Sequence, residues 1–574
     1  VSATAEQQPV AAPRPGIRWW PAVVVLLLTA AVVVWSQIRF SGDATWQILA
    51  LYNTLPLPVL GLSAWWMFFS RQTWAKKWTG VGYVAAVFAF FFGVVRLDGF
   101  DGVMHPRFSW RWSQTAEQRA AAHRKARQAE LAAKGSPAAA PDTSPADAPA
   151  PTDPTATPPS PPPPLVAGTD DSPEFRGTRR DGVVTGWRVR PEIVSGTAPK
   201  PLWRQPIGPA WSGFAVVGEF AFTQEQREAE ECVVCLEAAT GREVWVHADP
   251  IRFEEVPSGV GPRATPTVVD GRVYTVGGTA LLNCLDGRTG KRLWSVPLLD
   301  KPLEQTTSWG TAPSPLVWDD MVITIAGKGV PEGTEAAGAA NGLPVRAFDR
   351  VSGKPLWSGG TGPGSYAAPA RGTLLGLEQL FVFGGTHLQG LDPESGKVLW
   401  TFPWTNTPKV NAALPIPIDD ATLVIGSGYG TGGARLKFDG STTPWTVATE
   451  WKSSDMKLKF NDAVRFGGHV YGLDEGILAC IDLATGKKAW KKGRYGYGQL
   501  LLVDDLIVVT AESGDVVVVA ADPKSHQELA RHKVLEGTCW NQPTLAGGRL
   551  FVRSDAEAAC YEFAVRKDAV ARSE

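Results

Sequence analysis

An eleven-residue pattern returns through the C-terminal part of the chain and narrows the fold more than any other feature. It reads Cys235-Leu-Glu-Ala-Ala-Thr-Gly-Arg-Glu-Val-Trp245, then Cys284-Leu-Asp-Gly-Arg-Thr-Gly-Lys-Arg-Leu-Trp294 and Ala347-Phe-Asp-Arg-Val-Ser-Gly-Lys-Pro-Leu-Trp357. Two further copies run Gly390-Leu-Asp-Pro-Glu-Ser-Gly-Lys-Val-Leu-Trp400 and Cys480-Ile-Asp-Leu-Ala-Thr-Gly-Lys-Lys-Ala-Trp490. Weaker copies surround Arg435–Gly440 and Ala520–Ser525. Self-similarity at a period of about 40–60 residues signals a propeller or a solenoid before other architectures.

Each copy has the chemistry of a tight β-hairpin. The Asp caps the turn, Thr or Ser supports it, and Gly takes the left-handed position that closes it. Two short strands precede each copy; the clearest set is Ala264–Val276, Ala280–Leu285 and Lys291–Val296. Four such strands make a propeller blade. First-to-third-strand sets begin near Phe214, Thr265, Pro313, Ala367, Leu414, Ala463, Leu500 and Pro543, eight in all. Only seven have a fourth strand, because nothing like Gly-x-x-x-Trp follows Cys560-Tyr-Glu-Phe563. Pro201-Leu-Trp203-Arg-Gln-Pro206 carries the Leu-Trp signature without its own hairpin. We therefore expect that strand to complete the last blade and remove the open sheet edge. The expected fold is all-β, an eight-bladed β-propeller with tryptophan-docking repeats, preceded by three transmembrane helices and a Pro-rich linker.

The motif Ala-x-Asp-x-x-Thr-Gly-x-x-x-Trp resembles the tryptophan-docking repeat of pyrroloquinoline-quinone (PQQ)-dependent alcohol dehydrogenases. It also resembles the non-enzymatic lipoprotein propeller of the outer-membrane β-barrel assembly machine. Phe175-Arg-Gly-Thr-Arg-Arg-Asp-Gly182 resembles the leading segment of PQQ-like repeat proteins common in planctomycetes. The likeness covers Glu174–Arg566 and implies a propeller of the wider WD40/YVTN-like class. It also implies that Trp203, Trp245, Trp294, Trp357, Trp400 and Trp490 are structural, each ring covering a neighbouring blade's backbone.

Three stretches near the N-terminus, Trp19–Ile38, Ala44–Ser70 and Trp78–Val95, carry no charge. Each is long enough for a hydrocarbon core that needs about 20 apolar residues. A cleaved signal peptide is a poor alternative, since two further spans follow the first. Arg14, Arg18, Arg71, Lys76 and Lys77 flank one side and Arg39 alone the loop on the other, although Arg96, Arg107 and Arg111 follow the third span. That bias places the N-terminus inside and the propeller outside, on the periplasmic face of the cytoplasmic membrane. Thr115–Lys134 is Ala-rich, mixed in charge and without an apolar stripe, as a solvated helix would be. Pro137–Pro164 holds twelve prolines, so it is expected to be extended, spanning up to about 85 Å as a spacer. The expected organisation is a cytoplasmic tail 1–18, membrane region 19–97, juxtamembrane segment with a polar helix 98–136, linker 137–172, propeller 173–566 and tail 567–574.

Function is less constrained. With 56 basic against 57 acidic residues, the charge balance argues against nucleic acid or a strongly charged polymer as the main partner. The six cysteines are scattered, and Cys232-Val-Val-Cys235 lies in a strand, where residues three apart face opposite sides. No metal-ligand spacing, Ser-His-Asp set or phosphate loop appears. In a blade the Asp-x-x-Thr-Gly turns share one face of the ring. The other face takes the links into each first strand and the second-to-third-strand turns. Trp211, Arg263, Trp309, Tyr366, Asn411, Asn461, Tyr497, Trp540 and Asn541 fall in those links. Gln224, Glu225, Asp474, Glu475, Glu512 and Asp555 fall at those turns. Aromatic, amide and carboxylate groups in one funnel suit a protein, peptide or small polar ligand. The dehydrogenase resemblance implies the alternative, an alcohol oxidoreductase using PQQ and Ca²⁺. That family carries two adjacent cysteines against the quinone and holds Ca²⁺ with Glu, Asn and Asp, for which Glu225, Asn461, Asp474 and Glu475 are candidates. The chain has no Cys-Cys pair. The expectation is a membrane-anchored binding scaffold without catalytic residues, cofactor or metal.

Overall fold

Consecutive apolar residues in a strand must be covered on both faces, because side chains alternate with a period of two. In the strand Glu230–Glu237, Cys232, Val234 and Leu236 join one buried cluster, whereas Val233 and Cys235 join another. The same division recurs around the chain and yields eight apolar clusters, each shared by two successive sheets. Stability is thus spread over eight inter-sheet cores, each lined mainly by aliphatic and aromatic side chains.

This computed structural model describes residues 17–41, 44–133, 165–327 and 344–567. The N-terminal tail, the Pro-rich segment, most of Gly327–Leu343 and the last seven residues lie outside the described residues. The chain divides into two units, Val1–Ser113 and Gln114–Glu574.

The larger unit is an eight-bladed propeller. Blades 1 to 8 begin with the inner strands Ala215–Val217, Thr267–Val269, Leu316–Trp318, Ala370–Leu374, Ile416–Asp419, Val464–Phe466, Gln499–Val503 and Thr544–Ala546. The outer strand of blade 8 is Lys200–Pro206, which pairs antiparallel with Glu557–Glu562 and sets Trp203 opposite Cys560. Ring closure therefore takes the form expected from the orphan Leu-Trp signature. A second pairing, Trp187–Val189 with Ala564–Arg566, fastens the same junction.

The docking tryptophans follow one rule. Trp203 of blade 8 donates its indole N–H to Ala238 O of blade 1 at 3.0 Å, and Trp245 of blade 1 to Gly287 O of blade 2 at 3.1 Å. Trp294 and Trp490 do the same to Arg350 O and Asp522 O. A Cβ on Gly290, whose φ is +74°, would lie 2.4 Å from the Trp245 ring, so glycine is required there by contact as well as by conformation. The Trp357 ring lies against Gly396 in the same way. Trp400 differs: its N–H goes to Gln379 Oε1 within its own blade at 2.7 Å, and its ring meets Phe438. Blade 5 docks through Trp451, bonded to Leu483 O at 3.0 Å. The sequence pattern misses it because a longer hairpin separates Trp451 from its turn.

Leu165–Val184 runs across the ring on the face of the Asp-x-x-Thr-Gly turns and engages most blades. Leu165 O accepts from Gly271, Ser172 pairs with Val216, and Val183–Val184 lies parallel to Leu502–Val503. Arg180 donates to carbonyls of Ser314, Pro315 and Pro369, which directly precede the inner strands of blades 3 and 4. Arg176 donates to Ala463 O of blade 6 at 2.8 Å. The Phe175–Gly182 segment is thus a strap over the axis, and among the described residues Leu165–Ser172 also contacts the blades.

The helix Ala116–Ala133 also belongs to this unit. Glu117 accepts from Glu228 N at 2.6 Å and pairs with Arg252 at 3.2 Å, while Ala120 is fully buried. One face is docked and the rest of the helix stays exposed to solvent, as expected. It shows no apolar stripe because charges and one small residue make the contact.

In the smaller unit, Trp20–Arg39, Thr45–Phe69 and Trp74–Val94 are long and apolar enough to cross a membrane. The third helix starts four residues before the expected Trp78, placing Lys76 and Lys77 in its first turn. After it comes a hairpin of Val95–Phe100 and Pro106–Trp110.

Candidate binding face

The links into the first strands carry large rings where they turn toward the axis. Trp211 and Trp540 sit 4.5 Å apart by ring centroid, and Trp540 lies 5.4 Å from Phe460, which lies 5.4 Å from Tyr497. The Lys459 ammonium continues the series, 4.5 Å from the Tyr497 ring and 5.1 Å from that of Tyr429. Tyr429 meets Trp309 at 6.4 Å, and Trp309 meets Tyr366 at 5.4 Å. Arg263 closes the circuit: Nε donates to Trp309 O at 2.7 Å, and Nη2 to Ser258 Oγ at 2.9 Å. Ser258 O accepts from the Trp211 indole at 2.5 Å. Every blade contributes to this aromatic collar.

Its polar groups are bonded within it. Glu512 accepts from the Trp540 indole at 2.8 Å and from Tyr497 N at 3.1 Å. The Tyr497 hydroxyl donates to Glu475 Oε2 at 2.5 Å, and Tyr366 OH accepts from Trp309 N at 3.2 Å. Arg263 lies 4.2 Å from the Phe253 ring, and burial pulls its guanidinium down to about 10. Trp211, Trp309, Tyr366, Tyr429, Phe460 and Trp540 are each half-buried. Such rings give contact energy at little entropic cost.

The structure brings Arg263, Trp309, Tyr366, Glu475, Tyr497, Glu512 and Trp540 together in the collar. The other expected site residues bind the blades. Gln224 donates to Ala264 O at 2.6 Å, Asn461 to Leu473 O at 3.2 Å and Asn541 to Ser212 O at 2.8 Å. Asp474 is held by Lys491 at 2.8 Å and Lys457 at 3.8 Å. Glu225 accepts from Gly208 N at 2.6 Å and pairs with Arg227. Burial alone would raise Glu225, but Arg227 and Arg124 outweigh it and hold the carboxyl below its usual value. Sequence reasoning missed Tyr429, Lys459 and Phe460, although Phe460 occupies the same link position as Trp540 in blade 8.

The atoms a quinone and Ca²⁺ would need are bonded elsewhere in the donor set the sequence offers. Asp474 and Glu225 are committed as above, Asn461 Oδ1 accepts from Lys459 N at 3.1 Å, and Glu475 Oε2 is taken by Tyr497. Among the described residues no cluster of three or more His, Cys, Asp or Glu can hold a metal. Cys232 and Cys235 face different inter-blade cores, and burial pushes the Cys232 thiol up to about 12. That is the character of packing residues, not reactive thiols.

A family model described as outer membrane protein assembly factor BamB matches residues 193–295 and 229–492. The matches span more than half the chain, which therefore belongs to the PQQ-like β-propeller repeat family. No curated protein matches it. Among solved structures, BamB from Moraxella catarrhalis is 18% identical, covering 64% of this chain and 100% of its own, with a TM-score of 0.45. The quinohemoprotein alcohol dehydrogenase ADHIIG from Pseudomonas putida HK5 is 15% identical over 67% of this chain and 75% of its own, with a TM-score of 0.49. A europium-containing methanol dehydrogenase is 14% identical over 62% and 85%, with a TM-score of 0.46. These are likenesses of fold.

Proposed function

We propose that this chain is a membrane-anchored scaffold whose propeller holds a protein or peptide partner at the aromatic collar. The observation that carries the reading is the collar itself, a run of half-buried rings in mutual contact drawn from links around the axis. Its charged groups are held by neutral partners within the collar, Arg263 by Trp309 O and Ser258, Glu512 by the Trp540 indole, Glu475 by the Tyr497 hydroxyl and Lys459 over ring faces, so what the funnel adds is aromatic contact area. The matching family model describes an assembly factor, which fits a partner-binding role. The basic bias of Arg14, Arg18, Arg71, Lys76 and Lys77 supports an extracytoplasmic propeller.

We read the residues offered for PQQ and Ca²⁺ as not fitting that group, because their donor atoms serve the blades. Calorimetric titration of the full chain with PQQ and Ca²⁺ tests this. No stoichiometric binding is expected. Binding at micromolar affinity, with dye reduction by a primary alcohol, would restore the dehydrogenase reading. For the scaffold, Trp309→Ala with Trp540→Ala should abolish a partner adduct seen with the unaltered chain while leaving the unfolding transition cooperative.

A further inference from the structure

We propose that the hairpin Val95–Trp110, with Trp112, is a bilayer-interface anchor that lies at the boundary between phospholipid headgroups and acyl chains. The proposal rests on the reading that the three apolar helices cross a bilayer.

The hairpin starts one residue after the helix Trp74–Val94 ends, and its register returns the chain to that level. Val95 pairs with Trp110, and Arg111 donates its backbone N–H to Val94 O at 3.0 Å. Arg111 Nε donates to Phe92 O at 2.8 Å, and the Phe108 ring meets Phe91 edge-on at 5.7 Å. The base of the hairpin is therefore clasped to the last turn of the third helix. Its tip is held as well: the hydroxyl of Tyr52, on the second apolar helix, donates to Met104 O at 2.8 Å. A hairpin tied at both ends to apolar helices is held along their boundary instead of projecting into water.

Its side chains suit that boundary. Trp110 and Trp112 stack at 5.2 Å with 7° between their planes, yet are 54% and 69% exposed, and Phe108 is 53% exposed. Three large rings exposed together would be unfavourable in water. They are what an interface selects, where an apolar ring body and a polar edge are satisfied at once. The helix they adjoin is covered in exposed Phe and Val, so the apolar surface is continuous with that of the span.

Fluorescence quenching in reconstituted vesicles tests the placement. The six native cysteines are buried in the propeller, so an environment-sensitive dye goes to one introduced thiol. The full chain carrying Trp112→Cys, or Phe108→Cys should the first not fold, is placed in phosphatidylcholine–phosphatidylglycerol vesicles. Leu28→Cys reports on the first helix and Glu394→Cys on the exposed propeller surface. We expect the hairpin dye to lose the iodide quenching shown at Glu394 and to respond most to a spin label at the lipid headgroup. At Leu28 the label at the acyl-chain end should dominate. Iodide quenching equal to that at Glu394, protection from every quencher, or strongest quenching from the chain end would each overturn the anchor. If Leu28 still reports lipid, the spans stand and only the anchor fails; if Leu28 is quenched by iodide, both fall.

Discussion

The indole N–H of Trp540 in blade 8 donates to the Glu512 carboxylate of blade 7 at 2.8 Å, and the same carboxylate accepts Tyr497 N–H at 3.1 Å. One side chain thus sets the orientation of a collar ring and the course of the adjoining link. Glu512→Ala would leave both donors without this acceptor. The expected cost is about 2–3 kcal/mol of stability, with weaker partner capture. Glu512→Gln, which keeps an acceptor, should recover part of both. Denaturant unfolding of the full chain in detergent is the check; equal stability of all three forms would contradict the assignment.

Closure of the ring gives a second expectation. Trp203 is buried between blades 8 and 1 against Phe214 and Phe551, and it lies against Gly241. Trp203→Ala should destabilise the propeller by about 3–5 kcal/mol, as cavity formation at a large buried ring does. The unfolding midpoint measures this, and a change under about 1 kcal/mol would mean that the strand does not close the ring.

The strap over the axis supplies a third. Arg180 is buried and gives its guanidinium hydrogens to three carbonyls from blades 3 and 4 and to Glu174 at 2.6 Å. Lysine keeps the charge but not the planar fork. Arg180→Lys should therefore be destabilising, and Arg180→Ala more so, since it leaves carbonyls and a carboxylate unpaired. Hydrogen exchange at Gly182 and Leu502, whose backbones are bonded, should accelerate in both variants. Unchanged exchange would separate Arg180 from the strap.

These features were unequally legible in the sequence. The blades were readable because one hairpin chemistry repeats, with Asp286 accepting from Thr289 N and Oγ1 at 2.9 and 2.8 Å as the motif requires. Closure followed from counting strands. Trp451 was hidden by its lengthened hairpin, and Trp400 carries the full signature yet bonds within its own blade because Gln379 offers a nearer acceptor. The collar was half legible. Strand alternation puts link residues on one face, but it does not say which are absorbed into inter-blade bonding, as Asn541 and Gln224 are. The strap and the docked helix left no periodic signal at all, since isolated arginines and ion pairs hold them.

Glu231 gives a prediction in pH. Burial pushes its carboxyl up to about 7, against donation from Gly278 N at 3.0 Å and the pull of Arg263, with Asp249 nearby adding to the rise. An unfolded glutamate titrates near 4.3. Between about 4.3 and about 7 the native state holds a proton that the unfolded state releases, so this group lowers stability as pH rises and has no further effect above. The loss is about 4 kcal/mol across that window. Glu231→Gln should flatten that part of the stability profile and be the more stable form at pH 8. A variant with the same slope as the unaltered chain would contradict this.

The central claim is that the collar is where a partner is held. A photoreactive residue placed at Trp309, with another at Glu394 on the opposite face as the comparison, tests it most directly in native membranes. The account predicts one adduct of defined mass from position 309, lost when Trp540→Ala is added, and none from position 394. An adduct from position 394 alone, or equal adducts from both faces, would contradict it.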